Sequence, residues 1–283
     1  MKHINKKFIS GKVSNLKEQY GKLHFSLLVN STINVTDENR SILENTPYMN
    51  FNGTKTKAYT NKFVKCVAEV GSGIVTGKNL VLQGTLVFNG FLNRFGTFTK
   101  EEIIEVNKVV LIEDFVKGVQ PTKENKRVDT GYVVNVQPNG EYTKFSITRR
   151  TNVKVNDKNR ESLSKEEFVK YNGDNTIAYL SNFSECLIKS SEMNFQQGDL
   201  IAFKGNTSSN GYVNKQEKVI YTETIFVSEL VNIERNQTTI MKNGVMVEQS
   251  EPQYEPQPEY SEEPYVEESQ QPCQIVYEEI PIN

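Results

Sequence analysis

The first half of this sequence is repeated in its second half, and this repeat restricts the fold more than any other feature. Matching residues stand 120 positions apart as far as Cys66 and Cys186, and 121 apart after one extra residue in the second copy. A tandem repeat of this length predicts two copies of one domain rather than a single large core. The matches fall in the same order in both copies: Gly11 and Gly131, Phe25-Ser26 and Phe145-Ser146, Arg40 and Arg160, Ala58-Tyr59 and Ala178-Tyr179, Phe63 and Phe183, Gly84 and Gly205, Asn89-Gly90 and Asn210-Gly211.

Within each copy, apolar and polar residues alternate with the period of a β-strand. In the segment 143–148, for example, Phe145 and Ile147 fall on one side of an extended chain. Each copy has about five such segments, and a long polar insert (residues 30–56 and 150–176) separates the second from the third. Five strands around one small core with long connecting loops indicate an all-β protein built from two tandem five-stranded OB-fold barrels.

Shorter patterns refine this prediction. Residues 161–171 have some helical spacing, but they lie inside an insert. Asn89-Gly90 and Asn139-Gly140 predict hairpin turns, because both residues of such a turn must tolerate positive φ.

Charge is distributed unevenly along the chain. From Val247 onward there are ten Glu and no Lys or Arg, whereas residues 1–246 contain 25 acidic and 33 basic residues and carry a charge of +8. The basic part indicates a polyanionic ligand, and the acidic end indicates a separate role. The end also holds six of the nine prolines, a composition typical of a disordered tail. We therefore expect a first OB-fold domain at 4–116, a linker at 117–127, a second OB-fold domain at 128–236 and an acidic tail at 237–283.

The three cysteines, Cys66, Cys186 and Cys273, are far apart and odd in number. This pattern is typical of reduced thiols in a cytoplasmic protein. No signal peptide or membrane-spanning run is evident in the sequence. We expect a cytoplasmic protein with no membrane partner.

Residues for catalysis or cofactor binding are scarce. His3 and His24 are the only histidines, and neither stands beside paired cysteines. No nucleophile and base are spaced as a catalytic group. We predict no catalytic residues, no metal site and no cofactor, so the chain is interpreted as a binding protein rather than an enzyme.

Three segments resemble the bacterial-type single-stranded-DNA-binding protein family. Phe25-Ser26-Leu27 and Phe145-Ser146-Ile147 resemble the second strand of that family, and residues 221–227 resemble its last strand. The chain end is similar to the acidic tip through which the family docks replication and repair enzymes. The resemblance implies a protein that binds single-stranded DNA without strong sequence preference during replication, recombination or repair. It also implies a location at the nucleoid or replication sites of a bacterium, or of a phage-infected or plasmid-bearing cell. The residues expected at the tail contact with partners are Glu278, Glu279, Ile280, Pro281 and Ile282.

Binding of single strands requires aromatic surfaces for bases and cations for phosphates. On the third strand, alternation places Val64, Cys66 and Ala68 on one side and the aromatic residues with Lys65 on the other. The opposite assignment, with the aromatic residues in the core, remains open. Residues 88–98 contain four Phe and one Arg, which predicts a finger that stacks on bases or a hairpin that packs on a second subunit. The predicted DNA-binding residues are Arg40, Tyr48, Phe51, Lys57, Tyr59, Phe63, Lys65, Phe88, Phe91, Arg94, Phe95, Arg160, Tyr179, Phe183, Tyr212 and Lys215.

The two copies differ in charge. Residues 1–116 carry +5 and residues 128–246 carry 0, and Lys65 is replaced by Glu185 at the matching position. We therefore expect the first barrel to be the main binding site and the second to be auxiliary or oligomerising. Two other classes fit the sequence: an OB-fold protein-interaction or structural hub, and an RNA-binding or strand-annealing protein. A monomer and a homodimer both fit.

Overall fold

The computed structural model describes residues 4–92, 98–114, 121–166 and 169–236, and most of them lie in strands. The first copy forms β1 (Asn5–Gln19), β2 (Lys22–Asn34), α1 (Arg40–Glu44), β3 (Asn50–Phe51), β4 (Lys57–Glu69), β5 (Asn79–Leu92) and β6 (Phe98–Glu113). The second copy forms β7 (Asn125–Asn139), β8 (Tyr142–Lys154), α2 (Arg160–Ser164), β9 (Val169–Tyr171), β10 (Ile177–Lys189), a 3-10 turn (Ser190–Glu192), β11 (Leu200–Val213) and β12 (Val219–Glu234). The predicted all-β class is confirmed.

Each copy closes into a five-stranded barrel. In the first copy β1 pairs with β2 and β5, β2 pairs with β4, and β5 pairs with β6, all antiparallel. A parallel contact between β4 and β6 completes the ring. The second copy repeats this order with β7, β8, β10, β12 and β11. The predicted pair of OB-type barrels is therefore the architecture of the described chain.

Alternation along the strands fills a separate core in each barrel. Cys66 lies in the first core and Cys186 in the second, as their matching positions require. Phe145 and Phe195 meet edge to face in the second core, with ring centroids 4.9 Å apart.

The inserts add small cores of their own. Leu43 of α1 packs with Ile33 and Ala58, and Leu163 of α2 packs with Ala178 and Leu180. The helical spacing expected over 161–171 corresponds to a single turn, because Val169–Tyr171 pairs with β10 as a strand. No helix in the described ranges is both long and apolar enough to cross a membrane.

One of the two predicted Asn-Gly turns is confirmed and the other is wrong. Asn139 ends β7, and Gly140 takes φ of +63° in the turn to β8. Asn89 and Gly90 instead lie inside β5, opposite Glu101 and Lys100. At the matching Gly211, a Cβ atom would lie 2.9 Å from Cγ1 of Ile33 in the other barrel. An Asn-Gly dipeptide can therefore mark a close approach between barrels, as at Gly211, instead of a turn.

The barrels join edge to edge along β1 and β7, and this seam has an internal twofold relationship. Lys7 stands opposite Arg127, its own match in the repeat. Hydrogen bonds across the seam therefore come in matched pairs. The backbone N–H of Glu124 donates to Oγ of Ser10 at 2.8 Å, and that of Ile4 donates to Oγ1 of Thr130 at 3.1 Å. These two hydrogen bonds are the same contact seen from the two sides of the seam.

The start of β7 lies inside the segment interpreted as the linker. Asn125, Lys126 and Arg127 pair with β1, so the second strand system begins three residues before the expected start at 128. The carboxylate of Glu113 accepts hydrogen bonds from the backbone N–H and the hydroxyl of Thr122, at 2.9 and 2.6 Å. These bonds fix the described end of the connection to the first barrel, and they lower the pKa of Glu113.

Charged side chains are buried at the centre of the seam. Lys7 and Arg127 are 1% and 2% exposed, and Glu223 accepts from both, at 2.5 Å from Nζ of Lys7 and 3.3 Å from Nη1 of Arg127. Burial alone would raise the pKa of Glu223. The positive charges of Lys7 and Arg127 lower it by more than burial raises it, so the pKa of Glu223 lies well below its ordinary value. Glu102, the match of Glu223, lies 3.9 Å from both cations. The twofold thus relates two cations, Lys7 and Arg127, and two carboxylates, Glu102 and Glu223, to each other.

One ion pair breaks this symmetry. Asp129 and Arg149 replace Ile9 and Val29 of the first copy, and Nη1 of Arg149 lies 2.8 Å from Oδ2 of Asp129. The Arg149 guanidinium also stacks 4.7 Å from the ring centroid of Phe88 in β5. Burial, with repulsion by Arg127, lowers the pKa of Arg149 to about 10. The buried guanidinium of Arg149 therefore connects the second barrel to β5 of the first barrel through its contact with Phe88.

Candidate nucleic-acid interface

The outward side of β4 carries the two aromatic residues predicted there. Tyr59 is 39% exposed and Phe63 is 57% exposed, whereas Val64, Cys66 and Ala68 are buried in the first core. The alternation of the strand places them this way because successive side chains point to opposite faces. The opposite assignment, with the aromatic residues inside, is excluded.

Pairing with β2 widens this surface. Leu28 lies opposite Phe63, Asn30 opposite Asn61, and Thr32 opposite Tyr59. Directly paired residues of an antiparallel sheet project from the same side. Sequence reasoning missed the β2 positions, although the alternation of β2 and its pairing with the next long strand were the available signals. The resulting surface, here called the first face, consists of Leu28, Asn30, Thr32, Asn34, Lys57, Tyr59, Asn61, Phe63 and Lys65.

Lysines stand at both ends of the β4 row. Lys65 forms an ion pair with Glu101 of β6, and Lys57 is exposed and forms no ion pair with the described residues. An exposed ion pair contributes only about 0–1 kcal/mol. Lys65 can therefore exchange its carboxylate for a phosphate at small cost.

The insert brings Tyr48 to the surface and holds the other predicted residues in local contacts. Tyr48 is 91% exposed, with φ of +60°. Phe51 is half-buried against the small core around Leu43, and Nζ of Lys55 lies 5.9 Å from its ring centroid. Arg40 lies 3.6 Å from Asp37 in an exposed ion pair. Of these residues, only Tyr48 offers an open aromatic ring.

The second barrel presents a corresponding second face on β8 and β10. Phe183 is 47% exposed and Tyr179 is half-buried, at the positions that match Phe63 and Tyr59. Glu185 replaces Lys65 and lies 2.5 Å from Nζ of Lys144. Arg150 and Lys154 stand where the first face has Asn30 and Asn34, so β8 restores cations that β10 lacks. The second face consists of Thr148, Arg150, Asn152, Lys154, Tyr179, Ser181, Phe183 and Glu185, and Arg160 is exposed nearby at the start of α2.

The long hairpins contribute unequally. Phe88 is half-buried, because it packs on the first core and beneath Arg149, and it is not an open stacking ring. Tyr212 is 50% exposed in β11, and Lys215 is exposed in the turn before β12. Phe91 lies in β5, but its side chain is outside the described part of the structure, as are the residues Arg94 and Phe95 and the whole predicted tail contact 278–282.

A groove of about 530 Å³ borders the first face. Its walls include Asn30, Thr32 and Asn61 of the first face, Ser208 of β11, and Thr122 before β7. The groove therefore lies between the first face and β11 of the second barrel.

Other chemistry is limited in this region. Burial raises the pKa of the Cys66 thiol to about 12, and the Cys186 thiol is likewise buried with a raised pKa. Within the described ranges, no three His, Cys, Asp or Glu side chains are grouped so that they could hold a metal ion. The faces offer rings, amides and cations, the groups with which proteins contact bases and phosphates.

No protein-family model matches the sequence, and no curated protein matches it. Among solved structures, the chain is similar to two of the single-stranded DNA binding protein from Thermus aquaticus, both with 10% sequence identity and a TM-score of 0.40. The wild-type structure aligns over 86% of this chain and 98% of its own, and the structure of a deletion mutant aligns over 89% and 98%.

Proposed function

We propose that this protein binds single-stranded DNA on the outward faces of its two barrels, without strong sequence preference and without catalysing a reaction. The observation that carries the proposal is the exposed pair Tyr59 and Phe63 on β4, with Lys57 and Lys65 at the two ends of the row. Stacking of a base on an aromatic ring contributes about 1–3 kcal/mol and tolerates any base. The lysines contact phosphates, and this part of the affinity decreases with salt.

Titration with oligo-dT tests the proposal. The variants Tyr59→Ala and Phe63→Ala should each weaken binding by about 5- to 150-fold, which corresponds to 1–3 kcal/mol. Tyr20→Ala is the matched control, since Tyr20 is 82% exposed in the turn between β1 and β2 and lies on neither face. If Tyr59→Ala and Phe63→Ala bind oligo-dT as tightly as the control Tyr20→Ala, the first face is not a binding site.

The relative contribution of the two faces follows from a second comparison. Tyr59→Ala with Phe63→Ala disables the first face, and Tyr179→Ala with Phe183→Ala disables the second. A larger loss for the first pair at two salt concentrations supports a dominant first barrel. Equal losses would contradict a dominant first barrel. They would mean that the cations Arg150 and Lys154 on β8 make the second face an equal binding site.

Competition and annealing assays separate the proposal from its alternatives. A protein that binds RNA preferentially would release oligo-dT when an equal concentration of oligo-U is added. A strand-annealing protein would accelerate duplex formation between complementary strands. A protein-interaction hub would bind neither nucleic acid.

We further propose that the acidic tail recruits enzymes of replication, recombination or repair through Glu278, Glu279, Ile280, Pro281 and Ile282. The support is compositional: the tail is acidic, whereas residues 1–246 carry +8. Deletion of residues 248–283 should leave the affinity for oligo-dT equal or higher and abolish partner pull-down. A large loss of DNA affinity would contradict this role.

A further inference from the structure

The first face does not end at the boundary of the first barrel. β11 of the second barrel pairs in parallel with the end of β2, with Asn210 beside Thr32 and Gly211 beside Ile33. Below this junction, the hydroxyls of Ser209 and Ser31 are 2.5 Å apart and buried. The sheet that bears the first face is therefore continuous from β4 through β2 to β11.

The register of this junction assigns Tyr212 to the first face. Alternation places Ser209, Gly211 and Val213 on the inner side of β11, where Val213 packs against the small core of the first insert. Asn210 and Tyr212 consequently project from the opposite side, together with Thr32 and Tyr59. Tyr212 is 50% exposed there.

Glycine at 211 permits this arrangement. A Cβ atom at that position would lie 2.9 Å from Cγ1 of Ile33 and 3.3 Å from the carbonyl oxygen of Ile220. A contact of 2.9 Å is shorter than real Cβ atoms make, so a side chain at position 211 would require Ile33 or the strand backbone to shift. The structure records no corresponding pairing of β5 with β8 in the ranges that it describes.

We infer that Tyr212 of the second barrel is a stacking residue of the first barrel's site, and that one strand of DNA passes from Phe63 and Tyr59 across β2 onto β11. Phe63 and Tyr59 are four residues apart on one strand, or about 13 Å, and β4 and β11 are two strand spacings apart, or about 10 Å. Tyr212 also lies two residues further along the strands than Tyr59, so the step from Tyr59 to Tyr212 is diagonal and comparable in length to the step from Phe63 to Tyr59. This inference rests on the proposed function, and it makes the first site dependent on both barrels.

Binding of oligo-dT by the full chain in two disabled backgrounds tests it. With the second face disabled by Tyr179→Ala and Phe183→Ala, Tyr212→Ala should weaken the remaining binding by about 5- to 150-fold. With the first face disabled by Tyr59→Ala and Phe63→Ala, the same change should have no further effect. Tyr212→Phe keeps the ring and should retain the affinity of its parent.

The outcomes separate this inference from the proposed function. If Tyr212→Ala acts only when the first face is disabled, or in neither background, the shared site is wrong while DNA binding by the faces stands. If the unmodified chain does not bind oligo-dT, the proposed function is wrong and the shared site with it. The urea unfolding midpoint of Tyr212→Ala should equal that of the parent, which shows that a loss of binding is not a loss of folding.

Discussion

Lys7 and Arg127 lie opposite each other in the pairing of β1 with β7, and each holds in its own repeat the position that the other holds. Both are buried, and both contact Glu223. A seam that maps onto itself in this way has the geometry of a twofold homodimer interface, here contained in one chain. The departures from symmetry are therefore the places where the two copies differ at their shared edge.

The buried pair Asp129 and Arg149 is the clearest of these departures. Arg149→Val alone should lower the free energy of unfolding by about 3 kcal/mol, because it leaves Asp129 buried without one of its two cations and removes the contact with Phe88. The double variant Asp129→Ile with Arg149→Val installs the residues of the first copy, Ile9 and Val29. Because apolar residues of fitting volume often replace a buried pair without loss, it should recover much of the stability. Urea unfolding measures both, and a double variant less stable than either single variant would contradict the argument.

Glu223 should make the protein sensitive to acid. Its native pKa is lowered, so its stabilising contribution is complete above the unfolded value near 4.5 and is lost as the pH falls towards the native value. Glu223→Gln should therefore lower the urea midpoint at pH 7 and reduce the further loss between pH 5 and pH 3. Glu69→Gln serves as control, since Glu69 forms only an exposed pair with Lys22 at 3.6 Å. An equal acid response in both variants would show that the seam does not carry this dependence.

Gly205 should not tolerate a side chain. A Cβ atom there would lie 2.7 Å from Cγ2 of Ile225 and 2.8 Å from the backbone oxygen of Phe226, where β11 bends beside β12. Gly205→Ala should cost about 1–3 kcal/mol in the free energy of unfolding, because the backbone must shift. Gly173→Ala is the matched control, as open space surrounds its Cβ position. Thermal unfolding of the two variants gives the comparison, and equal midpoints would disprove the packing argument.

The thiols of Cys66 and Cys186 should be unreactive in the folded protein. Both are buried, and burial raises the pKa of Cys66 to about 12, so almost no thiolate forms at pH 8. In a Cys273→Ser background, a thiol reagent such as DTNB should label no cysteine in buffer and two in urea. Rapid labelling in buffer would mean that a barrel opens.

The repeat predicted two barrels and the outward position of Tyr59 and Phe63, because the alternation of a strand is a local property of the sequence. It did not predict that Asn89-Gly90 lies inside a strand, because the dipeptide alone does not distinguish a hairpin turn from the interior of a strand. The sequence predicts Phe88 as a stacking ring for bases. Its contact with Arg149 joins residues far apart in sequence, so the local pattern could not show it. The sequence did not predict the seam between the barrels, because matching positions show that two copies exist but not which edges they share.

The charge difference between Lys65 and Glu185 gives the last prediction, which rests on the proposed function. Lys65→Glu should weaken oligo-dT binding and flatten the dependence of log K on log salt by about 0.7, the value for one phosphate contact on a single strand. Glu185→Lys should act in the opposite direction, since it adds a cation to the second face and releases Lys144 from its ion pair. Filter binding at several salt concentrations gives both slopes. If neither slope changes, the phosphates do not pass this end of β4 and β10.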